Sequence, residues 1–240
     1  MSAGRDPLPM SVFTATPEMV DPVRAAGVEL AAYTRRLLLD ADRHDDDLTG
    51  VLAAAERDGR LAAGDAFFLL EELLGASVDN TANTTGLALD TLAARPDEWR
   101  RVHADATLVP AAVEECGRFE PAIRHTIKCA LAPTTVGGRA IAEGEFVTIR
   151  IAAANRDPAV YVEPHRFWPQ RPRAKPQLAF GSGRHYCLGA ALGKMEVMEM
   201  VAGLVARWPQ AQVADGPGGG PVMNQMVNVA IAMAMTAGTK

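Results

Sequence analysis

Aromatic residues are scarce in this chain, 5% of 240, so its core must be built from aliphatic and alanine-rich surfaces, a composition that suits helices. Cysteine is scarcer still: Cys116, Cys129 and Cys187 make an odd set with no disulfide framework and no zinc spacing. With no signal-like apolar start, this usage points to a reducing, cytoplasmic setting. No apolar run reaches the length needed to cross a membrane. There is no excess of positive charge either; the net charge of −5 argues against nucleic acid as a partner. What is present is a composition that is 48% hydrophobic, enough to bury the core of one globular domain.

The most informative stretch is Phe180-Gly181-Ser182-Gly183-Arg184-His185-Tyr186-Cys187-Leu188-Gly189. Two glycines and a polar run predict a loop. After Cys187 the apolar spacing becomes helical through Leu188, Ala191, Leu192 and Met195, to about Trp208. The cysteine therefore falls where a loop meets the start of a helix. Unpaired backbone N–H groups and the positive end of the helix dipole favour a negatively charged sulfur there. Such a sulfur can ligate a metal, ligate haem iron or attack an electrophile. Attack as a cysteine hydrolase is the weakest of these, because His185 lies only two residues away and no orienting acid is evident.

Residues 1–21 read as an irregular lead-in, with Pro7, Pro9 and Pro17 and little periodicity. Helical spacing follows from Pro22 to about Leu39. The acidic run Asp45-Asp46-Asp47 reads as capping for a second helix from Leu48 that stops near Gly59. The longest helical pattern covers about residues 65–94. Its first half is apolar on most sides, through Phe67, Phe68, Leu69, Leu70, Leu73 and Leu74, which predicts a central helix. It then carries Ser77, Asp79, Asn80, Thr81, Asn83, Thr84 and Thr85, polar groups that need partners or a purpose. Glu71-Glu72 would be costly if buried and unpaired. Short helices follow through Trp99 and over about Val109–Phe119. Residues 123–151 alternate and turn at Gly137-Gly138 and Glu143-Gly144, the pattern of β hairpins ending at Ile151.

The ten-residue loop resembles the cysteine loop of the cytochrome P-450 family, Phe-Gly-x-Gly-x-His-x-Cys-x-Gly. Phe180, Gly181, Gly183, His185, Cys187 and Gly189 fill all its fixed positions. The resemblance implies haem b (iron protoporphyrin IX) with Cys187 as the axial iron ligand and Phe180, Gly181, Gly183, His185 and Gly189 as its cradle. Ala76-Ser77-Val78-Asp79-Asn80-Thr81-Ala82-Asn83 resembles the family's central-helix run, Ala-Gly-x-Asp/Glu-Thr-Thr-Ala-Asn. That run passes over the distal haem face, where Ala76 is expected. The family's acid and first threonine relay protons to oxygen. Asp79 matches the acid and Thr81 the second threonine, whereas Ser77 and Asn80 depart from the pattern. An amide at 80 donates a hydrogen bond and holds a water but relays protons poorly.

Taken alone, Glu115-x-x-Arg118 reads as a surface ion pair. In the family the same pair braces the haem-side scaffold with an arginine from a later Pro-x-Arg-Phe, which here supplies Arg166. Lys128, nine residues ahead of Gly137, stands where the family places a propionate-binding arginine; it offers a point charge without the bidentate fork. His185 is a second propionate candidate, although a lone histidine is more often a capping or core residue. Ala153-Ala154-Asn155-Arg156-Asp157-Pro158 contains the family's Ala-Asn-Arg-Asp-Pro. Arg171, Arg173 and Lys175 form a basic patch that is either a solvated loop or the docking face for an acidic electron donor, a ferredoxin or reductase. The tail from Val222 resembles the final hairpin, with Met226 and Val227 at the substrate pocket.

The implied fold is mainly α with small β hairpins, the C-terminal portion of the cytochrome P-450 fold without its N-terminal helices, as one domain over 22–240. The absent portion would leave apolar, haem-facing surface open to solvent, to a protein partner or to self-association, and would let Glu71-Glu72 stay exposed. The implied activity is that of a haem-thiolate monooxygenase, inserting oxygen from O2 into an apolar small molecule. The alternative is a truncated, non-catalytic homologue acting as a binding or helper partner, or a gene remnant.

Overall fold

The computed structural model describes residues 17–40, 47–172, 176–213, 222–223, 228–229 and 235–236. Among them the architecture is mainly helical, with short two-stranded antiparallel sheets. Two compact units divide the chain, residues 1–78 and 79–240, and the boundary lies inside one long helix.

In the first unit, helix α1 (Pro17–Leu39) already holds Pro22 inside it, so it begins ahead of the expected start and takes in residues 17–21 of the expected lead-in. As the sixth residue of this helix, Pro22 removes the bond its N–H would otherwise give to the Glu18 carbonyl. Helix α2 (Leu48–Arg57) is capped by Asp47, whose carboxylate accepts from the N–H groups of Thr49 and Gly50 at 2.8 and 3.1 Å. Asp45 and Asp46 lie outside the described residues. Helix α3 (Asp65–Ala93) opens with Asp65 accepting from the Ala62 N–H at 3.1 Å. Its first half is less buried than its apolar pattern predicts: Ala66 and Leu70 are buried, whereas Phe68, Leu69 and Val78 are exposed. Glu72 is exposed and Glu71 half-buried, so neither carries the full desolvation cost of a buried charge.

The second unit holds the main core. The second half of α3 supplies Ala88, Leu89, Leu92 and Ala93 to it. Helix α4 (Pro96–Ala104) adds Trp99 and Val102, and α5 (Val109–Phe119) adds Val109, Ala112, Val113 and Cys116. Helix α7 (Ala190–Arg207) contributes Val197, Val201 and Val205 at a four-residue spacing, one buried stripe down a helix. The Trp99 indole is fully buried, and its N–H donates to the Trp208 carbonyl at 2.7 Å, as a buried indole requires. His103 Nδ1 pairs with the Val205 carbonyl at 3.0 Å. These bonds anchor α4 to the end of α7.

Between α5 and α7 run the strands. β1 (Thr126–Cys129) pairs with β4 (Phe146–Ile149), and β2 (Thr134–Val136) with β3 (Arg139–Ile141). The β2–β3 turn places Gly137 and Gly138 at φ +57° and +79°, the left-handed pair of a tight hairpin turn. The β structure stops at Ile149 rather than Ile151. Ile151 is instead the buried first residue of the short helix α6 (Ile151–Ala154). Further on, β5 (Gln212–Val213) pairs with β8 (Met235–Thr236), and β6 (Val222–Met223) with β7 (Asn228–Val229). Met226 and Val227 lie outside the described residues.

Candidate functional site

The cysteine loop is built on two left-handed glycines, Gly181 at φ +72° and Gly183 at φ +71°, a conformation L-residues adopt only at a cost. A single 3₁₀ turn covers Gly183–His185, and Tyr186 N–H closes it on the Gly183 carbonyl at 3.0 Å. The chain then doubles back, and Cys187 N–H donates to the Phe180 carbonyl at 3.0 Å. This closes the loop on its own first residue and leaves the Cys187 thiol exposed. The Cys187 carbonyl accepts from Ala190 N–H at 3.3 Å, so the cysteine stands just ahead of the first turn of α7. His185 is exposed beside it, and Leu188 is 86% exposed.

A buried charge cluster ties together the segments leading to the loop. Glu115 Oε1 accepts from Arg118 Nη2 at 2.8 Å, and Oε2 from Arg118 Nε at 2.8 Å, a bidentate pair. Oε1 also accepts from Trp168 N–H at 2.8 Å and from Arg171 Nη2 at 3.2 Å. Arg118 donates further to the carbonyls of Asn155, Pro164 and Arg166 at 2.8, 2.9 and 3.2 Å. Asn155 in turn accepts from Leu178 N–H at 2.7 Å through its side-chain oxygen, tying the Ala-Asn-Arg-Asp-Pro segment to the approach of the cysteine loop. A Cβ on Gly117 in α5 would make only an ordinary 3.5 Å contact with the Gln177 amide.

Two expectations change here. The second guanidinium on Glu115 belongs to Arg171, not Arg166. The Arg166 side chain points outward to Glu163 Oε2 at 2.8 Å, both largely exposed, and only its carbonyl joins the cluster. The turn that brings Arg171 round holds Glu163 at φ +48°, and the Val162, Glu163 and Arg166 carbonyls accept from Arg171. Because Arg171 is buried, it offers no surface charge to a docking donor. Arg173 and Lys175 lie outside the described residues.

On α3, the polar side chains turn back on their own helix. Ser77 donates to the Leu74 carbonyl at 3.1 Å, Thr84 to Asn80 at 2.7 Å and Thr85 to Thr81 at 2.9 Å, the local bonding open to Ser and Thr in helices. Asp79 is exposed and Asn80 half-buried. Thr81 faces α7, with its hydroxyl 3.9 Å from where a Cβ on Gly193 would stand. The polar run of α3 therefore lies close to the helix that follows Cys187. Asn83 is buried, and its Nδ2 has no hydrogen-bond partner. Ala76 is an exposed helical residue of the first unit. Lys128 lies exposed on β1, opposite Val147.

The chemistry of this donor set fits haem. Among the described residues no group of three or more His, Cys, Asp or Glu side chains could hold a bare metal ion. An exposed, lone thiol on a loop closed by its own backbone bonds suits a metal that brings its own equatorial ligands and needs one soft axial donor. Sequence reading gave Arg171 a surface role and did not single out the Asn155 link or Lys194. The last sits on α7 with its Nζ 3.0 Å from Glu114 Oε2 and 5.1 Å from the centre of the Phe180 ring.

Comparison with known proteins agrees with this geometry. The family model described as Cytochrome P450 matches residues 8–209. The chain is 33% identical over 213 residues to the putative cytochrome P450 133B2 of Xylella fastidiosa, covering 88% of this chain and 52% of that protein. It is 33% identical over 205 residues to the cytochrome P450 monooxygenase PikC of Streptomyces venezuelae, covering 82% and 49%. Among solved structures, cytochrome P450 CREJ in complex with (4-ethylphenyl) dihydrogen phosphate matches with a TM-score of 0.86 at 29% identity, covering 94% of this chain and 56% of that one. The chain thus spans about half the length of the curated relatives it matches. It belongs to the cytochrome P450 family and carries a part of that family's fold.

Proposed function

We propose that the chain carries the thiolate side of a monooxygenase site that takes haem b, and that the complete site inserts an oxygen atom from O2 into an apolar small molecule. The single observation behind this reading is the closed cysteine loop, which leaves the Cys187 thiol exposed while its N–H is held by the Phe180 carbonyl. Cys187 would ligate the iron, with Phe180, Gly181, Gly183 and Gly189 shaping the loop around it. His185 and Lys128, both exposed, would meet the haem carboxylates. Bound there, haem supplies the oxygen-activating centre, and the thiolate pushes electron density toward it.

The chain's own residues would handle protons and binding. Asp79 exchanges protons with solvent, Asn80 donates a hydrogen bond and holds a water, and the Thr81 hydroxyl lies next in the run. Met226 and Val227 would give the substrate an adaptable apolar wall. Arg173 and Lys175 are the basic residues proposed to meet an acidic, ferredoxin-type donor. In the second unit Leu131 and Phe146 are 90% and 76% exposed, apolar surface suited to cover by further protein, a partner or a second copy.

The test is the absorption spectrum of the protein supplied with haem, reduced and exposed to carbon monoxide. A red-shifted, thiolate-type Soret band that Cys187→Ser abolishes is expected. Failure to retain haem would overturn the reading and leave a role as a binding or helper protein.

A further inference from the structure

We infer that Lys194 is a positioning residue for Cys187, acting through Phe180. The inference rests on the haem-thiolate reading for its consequence, but on contacts within the protein for its geometry. Lys194 sits one turn into α7, and its ammonium does two things. It pairs with Glu114 Oε2 on α5 at 3.0 Å, with both side chains only partly exposed, and it lies over the Phe180 ring at 5.1 Å from the centroid. A partly desolvated ammonium over an aromatic face is an attractive, directional contact. Phe180 is the residue whose carbonyl accepts the Cys187 N–H at 3.0 Å.

A connected path therefore runs from Glu114 through Lys194 to Phe180, and from the Phe180 backbone to the backbone of the sulfur-bearing residue. Glu114 adjoins Glu115, the centre of the buried charge cluster. Consecutive residues of α5 thus fix both the segment that approaches the cysteine loop and the loop's first residue. Without the ammonium, the half-buried Phe180 loses one contact that fixes its ring, and less firmly held loops open more readily. Lys194 therefore limits how far Cys187 moves, and with haem bound it holds the donor sulfur in one orientation.

The test compares Lys194→Met, Glu114→Gln and Lys194→Arg, each in a Cys129→Ser background so that Cys187 is the exposed thiol observed. Without haem, the rate of Cys187 alkylation should rise about two- to fivefold in Lys194→Met and in Glu114→Gln, the range expected from losing one such contact. The double variant should add little to either single one. Lys194→Arg keeps the charge over the ring and should restore the parent rate. With haem, Lys194→Met should lose part of the thiolate-type Soret band and shift the reduction potential, again with rescue by arginine. Alkylation rates equal to the parent's, or a rise that arginine does not rescue, would overturn the inference. If Lys194→Met does not fold, the Glu114→Gln rate decides in the same way. Failure of the parent protein to take up haem would count against the haem reading alone, since the alkylation comparison is made without it.

Discussion

Arg171 Nη2 donates to Glu115 Oε1 at 3.2 Å across 56 residues of chain, and both side chains are buried. Glu115 is therefore held by two guanidiniums and a backbone N–H, and no lone buried charge remains on it. Arg171→Met leaves Glu115 paired to Arg118 but strips the Val162 and Glu163 carbonyls of their donor, and should destabilise the protein by about 1–3 kcal/mol. Arg166→Ala, which removes only an exposed pair with Glu163, should cost less than about 1 kcal/mol. Urea unfolding followed by tryptophan fluorescence distinguishes the two; equal effects would contradict this assignment.

The three cysteines should separate cleanly in labelling. Cys129 and Cys187 are exposed and Cys116 is buried. Burial pushes the Cys116 thiol far up from its ordinary value, so it stays protonated and unreactive even in alkaline solution. Mass spectrometry of the folded protein should show two modified thiols, with the third appearing only on unfolding.

The left-handed glycines of the cysteine loop give a further measurable outcome. A Cβ on Gly183 would meet nothing within 4 Å, and one on Gly181 would make only an ordinary 3.7 Å contact with the His185 carbonyl. Alanine at either position is thus disfavoured by backbone conformation and not by a clash. Each substitution should cost about 1 kcal/mol and weaken haem retention, as read by denaturation and by haem titration.

Asp90 makes stability depend on pH in a defined direction. Burial raises its carboxyl pKa above 3.8, and the Arg95 charge opposes this only in part. The folded state then holds the proton more tightly than the unfolded state. Its contribution to stability is largest below the unfolded value and is lost as pH rises through the raised one. Asp90→Asn should flatten that part of the profile and leave the protein no less stable at neutral pH. Melting temperatures of both forms across the acidic range provide the check.

Much of the chain could be read without coordinates, for a physical reason. Helix and hairpin signals are local: the apolar spacing of α7, the proline and acidic start of α4, and the paired glycines of the β2–β3 turn each act within a few residues. The cysteine loop is local as well, since its glycines, its 3₁₀ turn and its closing Phe180–Cys187 bond lie within ten residues. Burial was less legible. The first half of α3 is apolar on most sides, yet Phe68 and Leu69 are exposed, because periodicity states what a helix could bury and not what is there to bury it.

By itself the sequence determined the family, the order of most elements and the place of Cys187 between a loop and the start of a helix, because these rest on short-range conformational rules and a compact pattern of residue types. Only the tertiary structure decided which arginine completes the pair on Glu115, and that Arg166 faces solvent while Arg171 does not. It alone showed that Lys194 lies between Glu114 and Phe180. Guanidinium and ammonium groups sit on long, flexible side chains whose partners come from distant parts of the chain, and their choice among carboxylates is made by the packing of α5, α7 and the 163–171 turn.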